Sequence, residues 1–247
     1  MLEKILKKYQ KKIIGIIQVG AHIGQEVDLF LKLKFSNIYL FEPNPEAYQH
    51  LLKYKNIKNV HIFNFALGNK NEKKILFVSD NKYGVSSSVL EPKLHLEYFP
   101  EYTFSLKQEI EVKRFCDLDN LIGNFLILDV QGFELEVLKG FDKEITKIDF
   151  IFTEFSLVEL YKDSVSLDEL DKYLNGKNFI RANTSLVSNV PMGDALYINK
   201  DLNNKLINYY FLAKSNLTKT KTFRIFNLFK DFKKLSFHIK NKIKKYF

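Results

Sequence analysis

Residues 13–24 read Ile-Ile-Gly-Ile-Ile-Gln-Val-Gly-Ala-His-Ile-Gly, an apolar run that breaks into two glycines four positions apart. A second apolar run follows and ends at Glu42. Strands apolar on both faces belong to a parallel sheet covered by helices. Glycine at a strand's end lets the backbone turn sharply and approach a ligand closely. An acid at the tip of the neighbouring strand sits where a ribose diol can be hydrogen-bonded. The pattern predicts a nucleoside-type cofactor at the carboxyl edge of such a sheet; a turn built for packing alone is the competing reading.

The spacing narrows the cofactor. Gly20-Ala21-His22-Ile23-Gly24 is not Gly-x-Gly-x-x-Gly, so the pyrophosphate cradle of a nicotinamide enzyme is not written here. No Gly-x-x-x-x-Gly-Lys-Ser/Thr occurs either, which argues against a P-loop.

Alternation of strand-like and helix-like segments runs on through the chain. Strands are predicted over 13–20, 37–41, 60–65, 125–130 and 149–155, with a closing pair over 179–182 and 195–199. Helices are predicted over 24–34, from Pro43-Asn44-Pro45-Glu46, over 132–138 and over 167–174. Residues 73–78 and 110–115 have β character, and the long connection between them carries Ser86-Ser87-Ser88. The fold class that follows is α/β, a doubly wound and mostly parallel sheet.

Charge divides the chain. Residues 201–247 hold 12 basic and 2 acidic side chains, while the whole chain's formal net charge is +9. The body over 1–200 is therefore near neutral and the tail strongly basic. Phe223, Phe226, Leu235, Ile239 and Ile243 recur among the tail's lysines at helical spacing, so 201–247 reads as a basic amphipathic helical extension. A peripheral contact with anionic membrane, a terminal helix packed on the body, and nucleic acid are its three readings, nucleic acid the least favoured. The sole cysteine, Cys116, excludes an internal disulfide and a Cys-rich zinc site. With no sustained apolar segment at the N-terminus and no run of transmembrane length, the expected setting is cytoplasmic, with the tail at the inner face of the membrane.

Four strings, in order, resemble the FkbM-type methyltransferases: Val19-Gly20-Ala21-His22-Ile23-Gly24-Gln25, Phe41-Glu42-Pro43-Asn44-Pro45, Ala66-Leu67-Gly68-Asn69, and Leu128-Asp129-Val130-Gln131-Gly132-Phe133-Glu134. The resemblance covers about residues 13–200 and implies a Rossmann-like class I fold that uses S-adenosyl-L-methionine. It also implies O-methylation of sugar, glycan or natural-product hydroxyls, such as those of a surface polysaccharide or its nucleotide- or lipid-linked precursor. Two positions depart from the family pattern: Gln18 and Leu128 stand where members often carry Asp and Lys.

On this reading Gln18, Gly20, Ala21, Gly24 and Glu42 hold the cofactor's ribose and amino-acid end, and Asn64, Ala66 and Leu67 its adenine. Asp129 is the first choice for the general base, with Glu154 and His22 as rivals, because methylating a hydroxyl needs a proton acceptor within hydrogen-bond reach. Ser86, Ser87, Gln131 and Glu134 are candidates for the acceptor side, and no metal is expected. The alternatives are an RNA-modifying methyltransferase, suggested by the basic tail, and a non-catalytic membrane-associated protein with a degenerate cofactor fold, suggested by Gln18.

Overall fold

In the computed structural model, which describes residues 1–202, the chain opens with helix α1 (Leu2–Tyr9), burying Ile5, Leu6 and Tyr9. Strand β1 (Ile16–Val19) follows, buried at every position. Helix α2 (Val27–Lys32) then leads to β2 (Ile38–Phe41), again wholly buried. Helix α3 (Pro45–Leu51) starts with proline in its first turn, and Asn44 caps it by accepting the Glu46 N–H at 3.0 Å.

Strand β3 (Val60–Phe63) closes this half. Next come β4 (Ala66–Leu67), β5 (Glu72–Val78), the single turn α4 (His95–Tyr98) and β6 (Leu106–Lys113). The second half alternates β7 (Phe125–Leu128), α5 (Glu134–Gly140), β8 (Phe150–Ser156) and α6 (Leu167–Gly176). Ser166 and Glu169 start α6 with a reciprocal capping box. The described chain ends in the hairpin of β9 (Phe179–Leu186) and β10 (Met192–Asn199), then a short turn.

Seven strands form one sheet in the order β3-β2-β1-β7-β8-β10-β9, parallel except for β10. One face is covered by α1, α2 and α3 through Leu6, Phe30 and Leu51; the other is covered by α5 and α6 through Val137, Leu138, Leu170 and Leu174. The sheet is therefore doubly wound, as predicted. The order reverses between β1 and β7, the place where a ligand crevice opens at the strands' carboxyl ends.

Several boundaries differ from the sequence reading. Residues 13–15 lie outside β1, with Ile14 exposed. Helix α1 has no counterpart among the predicted elements, although Leu2, Ile5, Leu6 and Tyr9 have helical spacing. Residues 66–67 do not simply stop β3: they pair with β6 in a separate three-stranded sheet, β4-β6-β5. The predicted tail helix lies outside the described residues, and among these no helix is long and apolar enough to cross a membrane.

Candidate active site

Where β1 gives way to α2, the backbone is forced into a conformation that suits glycine. Gly20 has φ +79°, and a Cβ there would lie 1.8 Å from the Asp129 carbonyl oxygen. The ends of β1 and β7 thus touch backbone to backbone. Gly24 has φ +81°, with Leu51 and Tyr54 pressed against the space a side chain would take. The N–H groups of Gly20 and Ala21 both donate to the Phe41 carbonyl at 3.0 Å, tying the turn to the end of β2.

Glu42 sits at that end, 6% exposed. Its Oε2 accepts the His22 N–H at 2.7 Å and its Oε1 the Asn44 N–H at 2.8 Å. Each oxygen keeps acceptor capacity for a further donor. Burial pushes its carboxyl up to about 7; the two N–H groups resist the rise, and the charge of Asp129 adds to it.

The other carboxyls stand just past β7, at Asp129, and in the last part of β8, at Glu154. Asp129 opens onto the cleft while protein encloses it elsewhere, and burial raises its pKa. Gln131 Nε2 donates to Asp129 Oδ1 at 2.8 Å and to Glu154 Oε2 at 2.7 Å, so one carboxamide holds both acids. Burial and the neighbouring Asp129 push Glu154 well above the usual carboxylate range. Two acids this close do not both ionise readily, and burial raises both, Glu154 well above the usual range. The Tyr161 hydroxyl lies 2.7 Å from the Ser86 carbonyl and 3.0 Å from Gln131 Oε1, its one hydrogen shared between two acceptors. That contact turns the amide's NH₂ toward the acids.

These groups surround a cleft of about 300 Å³. Gln18, Gly20, His22 and Glu42 line it from β1 and β2, and Asp129, Gln131 and Glu154 from β7 and β8. Ala66 and Leu67 line it together with Leu76, Val89 and Phe133, an apolar wall built largely by the small sheet. Ser87 reaches the lining too, but its hydroxyl donates to the Gly84 carbonyl at 2.6 Å and accepts the Ser79 N–H.

Five predicted residues brace the cleft instead of lining it. Ala21 and Gly24 form the turn beneath it, with the Gly24 N–H donating to the Ala21 carbonyl. Asn64 donates to the backbone carbonyls of Glu42 and Pro43. Ser86 is buried, its backbone N–H bonded to Ser79 Oγ. Glu134, placed on the acceptor side by sequence, is buried and accepts the N–H groups of Val130 and Gly132, clamping the loop that presents Gln131.

His22 is a poor base in this arrangement. Its Nε2 is 3.0 Å from the Tyr83 carbonyl, which can only accept, so the ring proton is on Nε2. Nδ1 then accepts from the Gln25 amide at 2.7 Å, leaving no free lone pair.

The buried acids set a pH signature. Glu42 and Glu134 have folded pKa values of about 7, raised chiefly by burial from the ordinary glutamate value of 4.5. Between those values the folded chain binds more protons than the unfolded one, so stability is greatest at the acid end and falls as pH rises through 7. Up to about 3 kcal/mol per group is at stake. Denaturation midpoints of the ligand-free protein should drop between pH 5 and about 7.5; a rise over that window would contradict the buried-acid description.

Sequence reasoning missed Asp194, which lies opposite Glu154 in the β8–β10 register and lines the same cleft. An acid between Met192-Gly193 and Ala195-Leu196 was the available signal. It also missed Glu26, hydrogen-bonded to Gln18. Ser88, the third serine of the predicted cluster, lines the cleft and donates its hydroxyl to the Gln131 carbonyl at 2.8 Å. For Tyr161 no sequence signal existed.

A glycine turn after β1, an acid after β2, carboxyls just past β7 and late in β8, and the sheet order with one antiparallel strand together define a methyltransferase of the class I type. The chain belongs to the FkbM methyltransferase family: residues 18–181 match the Methyltransferase FkbM domain. It is 27% identical over 163 residues to the 2-O-methyltransferase NoeI of Sinorhizobium fredii, a match covering 62% of this chain and 67% of that one. The crystal structure of Methyltransferase FkbM from Methylobacillus flagellatus KT superposes with a TM-score of 0.51 at 18% identity. That superposition covers 74% of this chain and 43% of the other, so this chain spans less than half of that protein. The likeness shows the shared fold.

Proposed function

We propose that this methyltransferase uses S-adenosylmethionine to methylate a hydroxyl of a sugar or glycan. The observation that carries the reading is the contact between the Gly20 turn and Asp129, which sets a cofactor-holding loop and a proton acceptor side by side at one strand edge. The residues present fit the cofactor. Glu42 retains acceptor capacity for the ribose diol, the apolar wall of Ala66, Leu67 and Phe133 suits adenine, and Gln18 Oε1 is a buried acceptor with no hydrogen-bond partner among the described residues.

When bound, the cofactor supplies an electrophilic methyl group on its sulfonium. The chain's own part is orientation and proton transfer. Asp129 accepts the proton of the substrate hydroxyl as the oxygen attacks, and Gln131 fixes its lone pairs while holding Glu154 beside it. Five carboxyls line the cleft: Glu26, Glu42, Asp129, Glu154 and Asp194. Such a lining favours a neutral stretch of the acceptor at the reacting end and keeps any linked phosphate outside. The name of the NoeI relative, a 2-O-methyltransferase, agrees with an oxygen acceptor.

Two measurements test the reading. Glu42→Ala should weaken S-adenosylhomocysteine binding by about 1.5–3 kcal/mol, since charge-assisted hydrogen bonds are lost. Incubation with S-adenosylmethionine and a panel of purified glycans should add one methyl group to an acceptor oxygen, read by mass spectrometry. Unchanged affinity in the variant removes Glu42 from the site, and methylation confined to RNA would replace the glycan reading.

A further inference from the structure

Parallel strands are all entered from one edge of a sheet and left at the other, so the connections into them gather opposite the cleft. The segments entering β1, β2 and β3, residues 10–15, 33–37 and 52–59, are tied together there. Gln10 Nε2 donates to the Leu33 carbonyl and Asn59 Nδ2 to the Phe35 carbonyl, both at 2.7 Å. They carry Lys11, Lys12, Lys34, Lys53, Lys55 and Lys58, all exposed, and no acid. Asp119 and Asp149, which precede β7 and β8, are the acids beside them, Asp149 bonded by Asn124 at 2.6 Å. At the other edge the cleft is lined by five carboxyls and, among the described residues, by no lysine or arginine. The two ends of the folded body are therefore oppositely charged.

Lysine near the last turn of a helix complements the helix dipole, which accounts for some of these charges. It does not account for two isoleucines at the same edge. Ile14, entering β1, is 54% exposed, and Ile122, entering β7, is 57% exposed. The segments that carry them run side by side. The Ile14 N–H donates to Asn124 Oδ1 at 2.9 Å, and a Cβ on Gly15 would lie 2.4 Å from the Ile122 carbonyl oxygen. Exposed aliphatic groups beside a lysine cluster match the apolar and the basic parts of a surface that rests on a bilayer. The chain also leaves the described residues at this edge. The N–H groups of Asn199 and Lys200 donate to the carbonyls of Asp149 and Asn178, and the strongly basic segment over 203–247 follows in sequence.

We propose that this edge of the folded body is a docking surface for an anionic membrane. The lysines meet the headgroup phosphates, and Ile14 and Ile122 enter the boundary with the acyl chains. All six basic groups are lysines, and the exposed apolar side chains are aliphatic. Both features favour lipid over nucleic acid, whose phosphates and bases call for arginine forks and stacking rings. Docked in this way, the protein turns its acidic cleft toward the aqueous side. The contact belongs to the body and is separate from the basic tail.

The test is co-sedimentation of the full chain with phosphatidylcholine vesicles, made with and without phosphatidylglycerol, at low and high salt. The parent should bind the anionic vesicles and lose most of that binding at high salt. Lys34→Gln, Lys55→Gln and Lys58→Gln together should lower the partition coefficient about tenfold or more. Lys107, Lys162 and Lys172 are exposed on other surfaces, and changing all three to Gln removes the same charge. That control should lose less than about threefold. Ile14→Gln with Ile122→Gln should weaken binding at either salt concentration, and melting temperatures check that each variant is folded. A parent that ignores anionic vesicles at low salt overturns the surface. Equal losses from the two lysine triples also overturn it, and leave the attraction to net charge and the tail. Unchanged binding in the isoleucine pair overturns the apolar half of the contact. If the edge triple weakens binding of a single-stranded RNA probe and leaves vesicle binding at the parent's level, nucleic acid replaces the membrane.

Discussion

Asp129→Asn should lower kcat by roughly 10²–10⁴ and leave S-adenosylhomocysteine affinity within about twofold. The substitution keeps size and shape but removes the lone pair that takes the hydroxyl proton. Its neighbours make the prediction specific. Gln131 Nε2 still has Glu154 Oε2 to bond at 2.7 Å, so the local scaffold retains an anchor. Glu154 cannot simply take over, because with Asp129 neutral it remains a buried acid whose ionisation is disfavoured. In the parent enzyme, activity should fall as pH drops through the raised pKa of Asp129, since the protonated form has no basicity. Stopped-time assays of methyl transfer across pH, with cofactor affinity measured separately, check both parts. Retention of full activity in the variant would move the base to Glu154.

The motifs that could be read in advance were those whose chemistry is local. An apolar strand ending in glycine states its own geometry, and Gly20 proved to need both its positive φ and its missing side chain. Glu42 and Asp129 follow β2 and β7, the two neighbours of β1 in the sheet, so strand alternation alone carried them to one edge. What stayed hidden depends on partners far apart in sequence. Asp194 joins the cleft because β10 inserts antiparallel between β8 and β9, a pairing no single segment announces. Tyr161 reaches Gln131 across 30 positions, and β4 pairs with β6 across the whole serine-bearing connection.

The errors of role have a physical pattern as well. Glu134 and Ser86 look like site residues in sequence because polar groups interrupt apolar runs there. In the fold Glu134 accepts the backbone N–H groups of Val130 and Gly132, and Ser86 Oγ accepts from the Asn81 amide, so both hold the loops that carry the lining residues. A buried polar side chain needs a partner, and whether that partner is a ligand or a neighbouring loop is settled by tertiary packing. Gln18 marks the contrast: its oxygen has no hydrogen-bond partner among the described residues and it lines the cleft.

Gly20→Ala should be the most damaging single methyl addition in the protein, costing about 3 kcal/mol or more of stability and most of the methyl-transfer activity. Two penalties combine. The backbone at φ +79° is one that alanine adopts only with strain, and the added carbon would meet the Asp129 carbonyl oxygen at 1.8 Å. Relief requires β1 and β7 to part at their ends, which displaces Asp129 and pulls the Gly20 and Ala21 N–H groups off the Phe41 carbonyl. The fold and the chemistry therefore fail together. Gly176→Ala is the matched control: Gly176 ends α6, and a Cβ added there would meet nothing within 4 Å, so the change should be neutral or slightly stabilising. Chemical denaturation of both variants, with S-adenosylhomocysteine titrations, separates the cases. If Gly20→Ala keeps parental stability and ligand affinity, the close approach of β1 and β7 is not what shapes the site.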